Sequence, residues 1–75
     1  MSSLEPSEIK KKELISLFEK KKFDELLKLS NELLDNFPKS ILVQNILGVV
    51  HTELKNYKLA KEFFIKVVNL NPKIY

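Results

Sequence analysis

Cysteine, arginine and tryptophan are all absent from this chain of 75 residues, glycine and histidine occur once each, and proline occurs three times. Each shortage excludes something. Without cysteine there is no disulfide, no thiolate metal site and no thiol nucleophile. That fits a reducing compartment, and a cytoplasmic location is the expectation. A single glycine cannot build a phosphate-cradling glycine-rich loop. Without arginine the chain lacks the planar forks that nucleic-acid readers place among their basic residues. The net charge of +3 is a mild basic excess, gathered in the runs Lys10–Lys12 and Lys20–Lys22. Nucleic acid is therefore a disfavoured partner. No apolar stretch approaches the roughly 20 residues that span a bilayer, so a membrane role is not expected. The first residues, Met-Ser-Ser-Leu-Glu-Pro, lack the apolar core of a secretory signal.

Side chains that carry chemistry are equally sparse. His51, the lone histidine, would need a nucleophile, a carboxylate or a metal beside it to act in catalysis. Glu53 is two positions away and on another face of a helix. The acidic residues interleave with lysines, and Asp24/Lys28 and Glu62/Lys66 are acid-before-base pairs four apart, expected on solvated helix faces. No metal-binding spacing occurs. The chain is read as a non-enzyme with no cofactor.

What is abundant is Leu, Lys, Glu and Ile, a helix-forming set. Residues 1–6 read as a polar tail, and Pro6-Ser7-Glu8 offers a helix start. Leu14, Leu17 and Phe18 fall on one helical face. A second segment opens with Asp24 and Glu25, carries Leu26, Leu27, Leu33, Leu34 and Phe37, and is stopped by Pro38. Ser40 is positioned to cap a third, whose Val43, Ile46, Leu47, Val50 and Leu54 form one stripe and Leu42 and Val49 another. Lys55-Asn56 is the next turn, with Asn56 suited to a left-handed conformation. The fourth segment holds Ala60, Phe63, Phe64, Val67 and Val68 and ends before Pro72. Spacing of three and four, not two, favours helix throughout.

The segments repeat. One constant offset carries Pro38-Lys39 onto Pro72-Lys73, Glu19 onto Glu53, Lys21 onto Lys55, and the aromatic Phe23 onto the aromatic Tyr57. It equals the period of a known class of helical repeat. In residues 41–74, Leu47-Gly48, His51, Tyr57, Ala60, Phe64 and Pro72 stand at the signature positions of that class. On these residues the chain resembles the tetratricopeptide repeat family. Residues 7–40 match less well: Leu14, Leu26 and Ser30 replace the usual small, small and aromatic residues, while Phe23, Leu33 and Pro38 fit. Residues 73–75 read as the start of a third unit.

The resemblance implies an all-α fold of two stacked antiparallel helical hairpins, part of an α-solenoid with a right-handed superhelix. Leu47, Gly48, His51, Tyr57, Ala60, Phe64 and Pro72 would close the second hairpin, with Gly48 and Ala60 letting the backbones approach. It also implies a scaffold that binds a peptide or partner helix on a concave groove. Carried over by position, the groove takes Lys11, Lys12, Ile15 and Glu19 from the first unit and Asn45, Ile46, Val49 and Glu53 from the second. Phe18 and Leu42 also map there, though core packing is their expected role. The Lys and Asn clamp by which some members grip a C-terminal carboxylate is not supported, because Ile15 and Ile46 stand where Asn is needed. Phe63, Phe64, Val67 and Val68 cannot all face one neighbour, so part of the last helix should be bare. A fragment of a longer protein, or self-association through that C-terminal hairpin, would cover it. The alternatives are a recruiting arm of a longer sulfotransferase or glycosyltransferase, and a basic RNA-binding module.

Overall fold

The computed structural model describes residues 5–70, and every element in it is a helix: α1 (Glu8–Glu19), α2 (Phe23–Asn36), α3 (Ile41–Glu53) and α4 (Tyr57–Leu70). Pro72 and residues 73–75 lie outside the described residues. Helix starts follow local chemistry. The Ser7 hydroxyl accepts from the Lys10 N–H, and the Ser40 hydroxyl accepts from the Val43 N–H at 3.0 Å. Each satisfies one of the donors that a helix start leaves unpaired. Lys22 gives α2 no side-chain cap, and Asp24 and Glu25 supply negative charge to its first turn instead.

The turns after α1 and α3 share one geometry. The Lys22 N–H donates to the Leu17 carbonyl and the Lys21 N–H to that of Phe18. At the equivalent place in the second hairpin, the Asn56 N–H donates to His51 and the Lys55 N–H to Thr52. This is the six-to-one and five-to-two bonding of a Schellman turn. The residue entering left-handed space is Lys21 (φ 57°) in the first and Lys55 (φ 65°) in the second. The expectation that Asn56 would take that conformation is thus corrected. The bonding places it one residue earlier, and the Asn56 side chain instead lies 3.3 Å from His51 Nδ1.

The offset that relates Phe23 to Tyr57 also relates the two ends of α2 to the two ends of α4, and the end of α1 to the end of α3. Packing follows chain order: α2 lies on α1, α3 on α2, and α4 on α3 most extensively. The centre is one buried cluster from three helices: Leu14, Leu26, Leu33, Val43, Leu47 and Val50. Val43, Leu47 and Val50 share one face of α3 and join it to the first hairpin. Gly48, on another face, meets α4.

That second contact explains the only glycine. A Cβ on Gly48 would stand 2.6–2.9 Å from three ring carbons of Phe64. Contacts so short force the ring to move. In the first hairpin Leu14 and Ser30 occupy the equivalent positions, and both are fully buried. The first hairpin carries the large group on its first helix; the second carries it on its second. Gly48→Ala should therefore lower stability by about 1 kcal/mol, because an overpacking cost of roughly 1–3 kcal/mol exceeds the ~1 kcal/mol that alanine gains in a helix. With Phe64→Leu already present, the same change should stabilise. Urea titrations of the four proteins of this cycle measure the coupling.

Candidate functional site

Two concave surfaces stand out. The first is a shallow depression of about 90 Å³ lined by Phe18, Asn45, Ile46 and Val49. Phe18 reaches it from the last turn of α1, and the other three come from the middle of α3. The spacing of Asn45, Ile46 and Val49 sets them on one side of α3, away from the Gly48 contact with α4. Phe18 is half-buried and lies tilted against Phe23, with ring centroids 6.2 Å apart. An edge of aromatic surface thus meets two aliphatic side chains and one amide.

Of the residues assigned to the groove from sequence, this depression unites Asn45, Ile46 and Val49, with Phe18 as the fourth wall. The others lie outside its lining. Ile15 is 49% exposed on α1. Lys11 is half-buried and its ammonium sits 3.4 Å from Glu8, and a similar surface pair joins Lys10 to Glu13. Such solvated pairs contribute little. Lys12, Glu19 and Glu53 are exposed, and Leu42 is half-buried.

The second surface is larger, an apolar hollow of about 460 Å³ beside α4, lined by Thr52, Tyr57, Ala60, Lys61, Phe64, Ile65, Val68 and Asn69. Three of the residues expected to close the second hairpin, Tyr57, Ala60 and Phe64, line it. Leu47 is fully buried, and Gly48 and Ala60 are buried. Phe64 is half-buried between Gly48 and the hollow. Tyr57 is 61% exposed and forms part of the wall. Its position as the first residue of α4 leaves the ring at the edge of the hairpin. Phe63, Phe64, Val67 and Val68, expected not to share one neighbour, take different surroundings. Val67 is buried, Phe63 packs partly on the core, and Phe64 and Val68 face the hollow.

The His51 ring stacks on Phe63, nearly parallel to it, with centroids 5.7 Å apart. Lys66, expected to reach Glu62, places its ammonium 5.2 Å from the centroid of the same Phe63 ring. Among the described residues, no group of three or more His, Asp or Glu side chains could hold a metal ion. No helix among them is long and apolar enough to cross a membrane.

Sequence reasoning missed one anchoring residue. The Glu5 carboxylate, within the segment read as a tail, accepts from the Ser40 hydroxyl and from the Ile41 N–H at 2.9 Å. Pro6 beside it is buried. The signal lay in the cap itself. A Ser cap is commonly answered by Glu or Gln three residues later, and here that position is Val43. An acid from elsewhere takes the role. Gln44, next in line, donates to the Pro38 carbonyl at 2.7 Å and braces the same corner.

Comparison with protein-family models, with curated proteins and with solved structures finds no match to this chain.

Proposed function

We propose that the chain is a protein-interaction module of the tetratricopeptide type, and that it holds a peptide or partner helix across α1 and α3. The supporting observation is the depression itself. It joins Phe18 to Asn45, Ile46 and Val49, so the first helices of both hairpins meet at one surface. Apolar walls with a single amide suit a peptide that inserts one aliphatic or aromatic anchor and offers a backbone hydrogen bond. The shared offset of the starts and ends of α2 and α4 supports the stacked-hairpin reading. We read it as a module without catalysis, acting in the cytoplasm, in a chain that has no cysteine and a single histidine.

Selection of displayed peptides against the whole chain tests this. Enriched sequences should share one apolar anchor, and Ile46→Glu should weaken their binding about tenfold, equivalent to ~1.4 kcal/mol. Ile46 is half-buried, so the variant should still melt cooperatively. Failure to enrich a common anchor, or binding indifferent to Ile46→Glu, would overturn the proposal.

A further inference from the structure

The two hairpins differ in what covers them. By the repeat offset, Tyr57, Ala60, Phe64 and Val68 correspond to Phe23, Leu26, Ser30 and Leu34. In the first hairpin this surface is covered by α3, whose Val43, Leu47 and Val50 join Leu14, Leu26 and Leu33 in one cluster; Phe23 and Leu34 pack at its margin. In the second, the corresponding surface is the hollow of about 460 Å³. Ile65 in its wall is 49% exposed. The fold therefore contains its own precedent for an occupant: an α-helix lying across a hairpin.

We propose that the hollow is a docking site for an amphipathic helix of a partner protein. The helix lies on α4 as α3 lies on α2, with aliphatic residues spaced like Val43, Leu47 and Val50. It carries an acidic residue opposite Lys61. The acid follows from one exchange. Leu27, partly buried against the core in the first hairpin, becomes the exposed Lys61 in the second. Lys58, one turn earlier on α4, is exposed close to it, and Glu62 is the helix's one acid. A partner that covers Lys61 without an acid leaves its charge partly desolvated and unanswered.

A second copy fits poorly. Its α1, the counterpart of α3, presents Ile9, Lys12, Glu13 and Ser16 where α3 has Val43, Ile46, Leu47 and Val50. That face cannot fill an apolar hollow. An α4-to-α4 contact through the hollow would bring Lys58 and Lys61 of two copies together. The site is separate from the depression around Ile46, so the two assignments stand or fall independently.

The test uses the 75-residue chain and a pair of labelled synthetic helices of about 16 residues. Both carry Val, Leu and Val at the α3 spacing; one is flanked by glutamates, its twin by lysines. Fluorescence anisotropy should show the acidic helix binding about tenfold more tightly than its twin. Lys61→Glu, a surface change that leaves the core untouched, should reverse that preference. Val68→Asp should abolish binding of both, and Ile46→Glu should change neither. Equal binding of the two helices by the Lys61→Glu protein, or no binding at all, would overturn the proposal. So would a concentration-dependent dimer in sedimentation that Val68→Asp dissolves, because a second copy would then be the occupant.

Discussion

Leu47→Ala should remove roughly 2–5 kcal/mol of stability, the largest loss expected from truncating one side chain of the core cluster. Leu47 is fully buried and lies midway along the apolar stripe of α3. Its cluster draws Leu14 from α1 and Leu26 and Leu33 from α2, so one side chain couples three helices. Truncation leaves a gap that cannot close cheaply, because Val43 and Val50 on either side are short and β-branched. A domain of this length has a total stability of about 4–11 kcal/mol. A loss of ~3 kcal/mol corresponds to a fall in Tm of roughly 12–24 °C. Thermal melts followed by far-ultraviolet circular dichroism measure it. Ile65→Ala, at a site 49% exposed, is the matched control and should stay within about 0.5 kcal/mol of the parent. A Leu47→Ala melt as high as that control would mean that α3 is not the hub of the core.

Glu5→Ala should cost about 2 kcal/mol, an unusual penalty for a residue so near the N-terminus. Its carboxylate accepts from the Ser40 hydroxyl and the Ile41 N–H, at the positive end of α3. Ser40 is fully buried, and its hydroxyl also accepts from Val43. Removing the carboxylate leaves the proton of this buried hydroxyl without its acceptor, which raises the cost beyond one lost hydrogen bond. Glu5→Gln keeps an acceptor and the shape while removing the charge, so roughly half of the effect should return. Ser40→Ala should cost about 1–2 kcal/mol as a lost cap. The double variant Glu5→Ala/Ser40→Ala should be only slightly worse than Glu5→Ala, because the two residues act on one contact. Simple additivity of the two losses would contradict the linkage. Urea titration with a common m-value provides the comparison.

The helices are legible in the sequence because their signals are local. Ser7 and Ser40 announce caps that the structure contains, Pro38 announces the end of α2, and spacing of three and four places Leu14, Leu26, Leu33, Val43, Leu47 and Val50 on inward faces. The break at Lys20–Lys22 is readable only as a fading of apolar spacing. The left-handed lysines within the two turns are not readable, since their conformation is set by hydrogen bonds to carbonyls in the preceding helix. The candidate site divides in the same way. Asn45, Ile46 and Val49 share a helix face by spacing alone, whereas the reach of Lys11 and Ile15 depends on how α1 leans, which no local pattern encodes. Glu5 is hidden for the same reason: its partners, Ser40 and Ile41, lie across two whole helices of sequence. Gly48 is legible as a close approach, but Phe64 as the group approaching it requires the packed structure.

The opposite placement of bulk in the two hairpins limits how this chain can be recombined. Leu14 with Ser30 and Gly48 with Phe64 each bring one large and one small group to equivalent buried or half-buried positions. Moving a whole hairpin carries its matched pair along. Exchanging single helices does not: α1 joined to α4 would set Leu14 against Phe64, and α3 joined to α2 would set Gly48 against Ser30. One chimera is overfilled and the other hollow. The smallest transplantable unit of this protein is the hairpin, and a helix lifted from it loses the complement that made its sequence meaningful.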